Sequence, residues 1–188
     1  MQLRSDILLT SVIRSLKEAI APALDTSDSL AQEQVRIVIG LLELLAKRLP
    51  MQFQFDCDEL ERLHALSLSL ADKAHATLPA HAAADFASAQ TGAADVLERA
   101  KARPDEVLAA VRHLRAACAG ATQSIYKASG EERSDLKNII LGYSSQQLVR
   151  DRAWLIDQGW ERRPGDLPDI DDLIRLSPPP ITGQLNTD

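Results

Sequence analysis

The chain has 188 residues, 45% of them apolar, which is enough for a sizeable core without disulfide staples and rules out wholesale disorder. Lys and Arg number 21 against 27 Asp and Glu, a formal charge of -6, which argues against a protein that lives on phosphate backbones. Eight Gly, two Trp, two Tyr and three Phe are too few for an all-β design full of tight turns.

The opening apolar stretch is soon broken by Arg14, Lys17 and Glu18, so it lacks the uninterrupted core of a secretory leader. Val35 to Ala46 is the most apolar segment, but Arg36 and Glu43 interrupt it, and no membrane span is expected. Cys57 and Cys118 stand alone, without Cys-x-x-Cys spacing, as expected of reduced thiols in a cytoplasmic protein.

Helical periodicity then recurs along the chain. Ser5 is placed to cap a first helix in which Leu9, Val12, Ile13, Leu16, Ile20 and Leu24 return every three or four residues. Ser29 and Gln32 have the form of a capping box for a second helix, which Pro50 ends. Its apolar positions, from Leu30 through Val35, Ile39, Leu42 and Leu49, cover well over half the circumference. Such a helix is either central in its own bundle or shared with another subunit. The opening Leu3-Arg4-Ser5-Asp6-Ile7-Leu8-Leu9 and this Leu-rich helix resemble an uncharacterised group of bacterial all-helical proteins. The likeness spans about the first third of the chain and transfers no functional residue.

Met51 to Phe55 alternates apolar and polar residues and reads as an extended connection burying Phe53 and Phe55. A third helix is expected from Asp56 or Asp58, with Leu60, Leu63, Leu66, Leu70, Ala74 and Leu78 on one face. A fourth, Ala-rich helix runs over about 82–102 with Phe86, Ala93 and Leu97 inward. Pro104 suits the first turn of a fifth, whose stripe is Val107, Leu108, Val111, Leu114, Cys118 and Ile125. After Ser129-Gly130 a sixth carries Leu136, Ile139, Ile140, Tyr143, Leu148 and Leu155, stopping near Gly159. The expected architecture is all-α, an antiparallel bundle of about six helices over 1–160. A Pro-rich, acidic, partly mobile tail follows over 161–188, with one short helical candidate over 169–176.

The third helix carries the best chemical lead. Glu61-Arg62-Leu63-His64 resembles the Glu-x-x-His of ferritin-like carboxylate metal sites, and Asp72-Lys73-Ala74-His75 repeats its form. A bundle di-metal site draws its two motifs from different helices, whereas here one helix holds both, ~16 Å apart at 1.5 Å per residue. A solvated flank is therefore favoured over a metal site at Glu61, His64, Asp72 and His75, and no cofactor is expected. Arg112-His113-Leu114-Arg115 departs from the histidine phosphotransfer motif in the offset of its Leu, and His81 lies in an Ala-rich turn. Cys57 and Cys118 have no signature that places a base beside them. No Gly-rich phosphate loop or nucleophile elbow is present.

The remaining feature is a cluster of Arg150, Arg152, Trp154, Trp160, Arg162 and Arg163. Trp and Arg are enriched at binding hot spots, and they also dock a chain terminus under a stacked guanidinium. Docking is favoured, with a protein-partner site as the alternative. The function expected is that of a non-catalytic helical protein that forms a homodimer through Val35, Ile39 and Leu42 and binds another protein. A small-molecule or metal-binding module with a pocket between helices, possibly enzymatic, is the alternative.

Overall fold

The computed structural model describes residues 4–99, 102–128 and 133–175. They are all-α. Six longer helices are found: α1 Ser5–Ser15, α2 Ser29–Arg48, α3 Gln52–Thr77, α4 Ala80–Glu98, α5 Pro104–Ala128 and α6 Arg133–Trp154. A short α7, Ile170–Arg175, follows. Among the described residues no helix is long and apolar enough to cross a membrane.

The chain divides into two compact units, one within 1–52 and 151–168, the other within 53–150 and from 169 onward. The first is built from α1, α2 and the segment from residue 151 to 168. α1 widens into a π-type turn over Leu16–Ile20 and a last helical turn, Ala21–Ala23, before the break at 24–28. The break differs in detail from the expected caps. Arg4, not Ser5, is the N-cap of α1 and offers no side-chain bond. Asp28 caps α2, its carboxylate accepting from the Ala31 N–H at 2.9 Å, and Ser29 is already the first helical residue. Gln32 reaches back instead to the Leu24 carbonyl.

The junction at Pro50 corrects the extended connection expected for Met51 to Phe55. The chain stays helical there, as a 3-10 turn over Leu49–Met51 that passes directly into α3 at Gln52. Proline occupies the first turn of a helix at no hydrogen-bond cost, so Pro50 ends α2 without forcing the chain straight. Helical spacing then separates the two phenylalanines: Phe55 is buried and Phe53 is exposed.

The second unit holds the core. Leu60, Leu63, Leu66, Leu70 and Ala74 of α3 meet Phe86, Ala89, Ala93 and Val96 of α4. Val107, Val111, Leu114, Cys118 and Ile125 of α5 and Leu136 of α6 join the same cluster. These are the stripes that the 3.6-residue period selects. Small residues let α4 and α5 pack most extensively on each other. Ser67, fully buried in α3, is satisfied by donating to the His64 carbonyl at 2.7 Å and accepting from Gln90 of α4 at 3.2 Å.

After residue 161 the short helix expected over 169–176 is found as α7, Ile170–Arg175. A 3-10 turn spans Pro164–Asp166, and α7 buries Ile170 and Ile174 within the second unit. The Leu173 carbonyl accepts from Arg62 at 3.4 Å. The remainder of the expected tail, 176–188, lies outside the described residues.

Candidate functional sites

Three features of the structure bear on function: a charged cluster inside the second unit, an open groove in that unit, and the apolar surface of the first.

The charged cluster is built on the flank of the α3 leucine stripe. Asp58 and Arg62 are one turn apart, and the Arg62 Nε donates to Asp58 Oδ2 at 3.0 Å. Arg150 of α6 makes a close ion pair with the same carboxylate and is 1% exposed, against 5% for Asp58. The Arg150 guanidinium lies 4.5 Å from the Phe55 ring centroid and donates to Gln147 at 3.1 Å. Arg62 donates in addition to Gln146 at 3.2 Å. Every strong bond here runs between helices or along one, so the cluster fixes α3 against α6 and is closed to solvent chemistry.

The groove lies between α3, α5 and α6. Its volume is about 1150 Å³. Leu63, Leu66, Leu136, Ile140 and Leu141 form most of the wall, Tyr126 and Tyr143 add aromatic surface, and Cys118 and Gly120 line the α5 side. Among the described residues its charged lining consists of Arg115 and Lys137, both cations. Arg115 pairs with the buried Glu59 carboxylate, and Lys137 makes no hydrogen bond or ion pair among the described residues. Burial pushes the Cys118 thiol up to about 12, which favours the protonated thiol at neutral pH. Partial burial, then the Asp56 and Glu61 carboxylates, also raise the Cys57 thiol.

The sequence did not reveal this groove through any polar motif. On the α5 side its lining includes the small residues Cys118, Ala119 and Gly120. A Cβ built on Gly120 meets no atom within 4 Å.

The residues singled out from sequence fall in different settings. On α3, Glu61, Asp72 and His75 are exposed and His64 is half-buried. Partial desolvation and the Asp58 carboxylate raise the Glu61 pKa, with Arg62 opposing. Among the described residues no three His, Cys, Asp or Glu side chains come together as a metal-binding group. His81 and His113 are exposed.

The Arg/Trp cluster is dispersed. Arg150 belongs to the buried network of the second unit, while the others belong to the first. Arg152 is bound in a two-pronged pair to Glu161 at 2.8 and 2.9 Å, which holds the Glu161 carboxyl at about 2. Trp154 is half-buried under a guanidinium 5.3 Å from its ring, but that guanidinium is Arg48 of α2. Arg48 also donates to the Trp154 carbonyl at 3.0 Å, to the Ala153 carbonyl at 3.3 Å and to Asp157 at 3.0 Å. A cation thus closes the C-terminal end of α6, where its last carbonyls lack partners. Trp160 is 70% exposed, and Arg162 and Arg163 are exposed beside it.

The apolar surface of the first unit has a defined layout. At ~100° per residue, Val35, Ile39, Leu42 and Ala46 form one stripe of α2, and all four are half-buried. Arg36, Glu43 and Lys47 lie to one side of it. On the other side, Ile37, Val38, Leu41, Leu45 and Leu49 form a second apolar face that is exposed, as are Ile7, Leu8, Val12 and Ile20 of α1. Among the described residues of this unit Arg48 and Ala153 alone are buried.

No protein-family model matches the chain, and no curated protein and no solved structure matches it. The resemblance of its opening residues to a bacterial helical group therefore assigns none of these sites a role.

Proposed function

We propose that the protein is a non-catalytic helical assembly protein of the bacterial cytoplasm that pairs with a second copy of itself through the exposed face of α2. One observation carries this reading: among its described residues the first unit buries no large apolar side chain, while five large apolar residues of α2 face water. α1, α2 and the 151–168 segment cover little of this apolar surface, and each Leu, Ile or Val of α2 left half outside forgoes part of the ~1.5–3 kcal/mol that full burial brings. Two α1–α2 hairpins brought face to face make a four-helix arrangement in which each supplies what the other lacks. A twofold pairing is the commonest closed form and needs just one self-complementary patch. The interface centre is then Ile37, Val38, Leu41 and Leu45. The half-buried stripe of Val35, Ile39 and Leu42 supports the hairpin from within. Exposed Trp160, Arg162 and Arg163 supply a separate surface for a protein partner.

The test is the mass in solution. Sedimentation velocity of the full chain is expected to give twice the 20.6 kDa mass. Leu41→Glu with Leu45→Glu is expected to give a helical monomer, whereas Ile39→Glu with Leu42→Glu should unfold the hairpin. A wild-type monomer across the micromolar range, or a dimer undisturbed by Leu41→Glu/Leu45→Glu, would refute the proposal. Should that pair of glutamates cost the helical signal, Leu41→Gln with Leu45→Gln poses the same question with a milder change.

A further inference from the structure

We infer that the groove between α3, α5 and α6 is a binding site for a small amphipathic anion, an apolar chain or ring system ending in a carboxylate. This goes beyond self-association and rests on a different unit of the chain. Three observations point to it. The groove is open and, at about 1150 Å³, slightly larger than the ~300–1,000 Å³ of most small-ligand pockets. Its wall is made of Leu, Ile and Tyr side chains, two of which, Tyr126 and Leu141, stay largely exposed without a ligand. Among the described residues its charged lining is of one sign.

The lining chemistry selects the head group. Arg115 spends one guanidinium nitrogen on Glu59, and a planar guanidinium carries five N–H donors, so donors remain for a second carboxylate. Lys137 brings a full positive charge with no acidic partner among the described residues. Thr122, Gln123 and Ser144 at the same groove offer neutral hydrogen bonds. A cationic amphiphile would meet the Lys137 ammonium, and a neutral one would leave that charge without a partner among the described residues, Arg115 being already paired with Glu59. The body of the ligand is selected by the leucine wall, which discriminates by length and not by detailed shape. Gly120 lines the groove and is exposed, and a Cβ built there meets nothing within 4 Å, so a large side chain at that position has room beside the groove without a clash at its Cβ.

The experiment is titration calorimetry on the full-length protein with dodecanoate, kept below its micelle threshold, against dodecanol and dodecyltrimethylammonium. Saturable binding of dodecanoate at one site per chain is expected, with dodecyltrimethylammonium not bound. Lys137→Ala should weaken dodecanoate about fivefold, the scale of an exposed ion pair, and leave dodecanol unaffected. Gly120→Phe should abolish binding of both while circular dichroism shows a folded protein, and Gly120→Ala should retain it. Equal binding of the cationic amphiphile, retention of dodecanoate by Gly120→Phe, or no saturable binding at all would overturn the inference. If Gly120→Phe instead breaks the dimer, the groove is a subunit contact and the inference fails. The sedimentation result for the α2 variants is read independently, so failure of one proposal does not carry the other with it.

Discussion

Replacing Asp58 with Asn is the sharpest probe of how the second unit holds together. The carboxylate is 5% exposed and serves two guanidinium groups, Arg62 at 3.0 Å and Arg150 in a closer pair. Asn keeps the size and one acceptor oxygen but removes the charge, leaving two buried cations without it. Taking one partner out of a buried ion pair typically costs ~3–5 kcal/mol, because the charge left behind cannot regain its hydration. The Gln146, Gln147 and Leu173 oxygens around the two arginines soften this, so the lower figure, about 3 kcal/mol, is expected. With a urea m-value of ~2 kcal/mol/M the midpoint should fall by roughly 1.5 M. Far-UV circular dichroism is the suitable probe, since both tryptophans lie in the first unit. Arg150→Met should be similarly costly alone, and the double variant should cost less than the two losses together, since the two residues share one bond. A fall below about 1 kcal/mol for Asp58→Asn, or strict additivity, would refute the reasoning: the pair would then behave like a solvated surface bridge.

Arg48→Lys should destabilise the first unit by roughly 1.5–3 kcal/mol, because an ammonium cannot bridge two carbonyls and Asp157 while stacking on Trp154; urea unfolding followed by tryptophan emission checks this. Glu161, held at about 2 by Arg152, has a folded pKa below its unfolded value, so its stabilisation is present above about pH 4.5 and lost as pH falls toward 2. The melting temperatures of wild type and Glu161→Gln should accordingly differ above pH 5 and converge by pH 2. Two glycine-to-alanine changes should have opposite signs in the same thermal assay. Gly120→Ala stabilises an exposed helix interior by up to ~1 kcal/mol, and Gly159→Ala, at φ +70° with nothing near its Cβ, costs about 1 kcal/mol of backbone strain alone.

The core of the second unit was legible in the sequence because its helices are one-sided. Leu60, Leu63, Leu66 and Leu70, or Val107, Val111 and Leu114, repeat at a period that has one structural solution, and the same residues are the buried ones. Helix ends were less legible. Ser29 with Gln32 satisfies a capping pattern that Asp28, one residue earlier, satisfies better, its carboxylate reaching the Ala31 N–H. Met51 to Phe55 failed for another reason: five residues alternate by chance, and the helical preference of the long segment after them extends backwards through Pro50.

The sites were harder to read because burial of charge leaves no periodic mark. Arg150 stood in a run of Arg and Trp that suggested a surface, and it is instead among the most buried side chains, since its partners Asp58 and Phe55 are some ninety residues away in sequence. Arg48 drew no notice in the sequence, and it is the residue that stacks on Trp154. A broadly apolar helix poses the same problem in reverse. Periodicity showed that α2 has more apolar surface than one neighbour can cover, but a stripe records the need for a partner and not which one. The structure separates the two stripes: Val35, Ile39 and Leu42 are half-covered within the chain, and Ile37, Val38, Leu41 and Leu45 are left over. A covered stripe and an uncovered one make opposite predictions for the same Leu→Glu change, unfolding at Leu42 and dissociation at Leu41. Neighbouring residues of a single helix thus discriminate between a core and an interface.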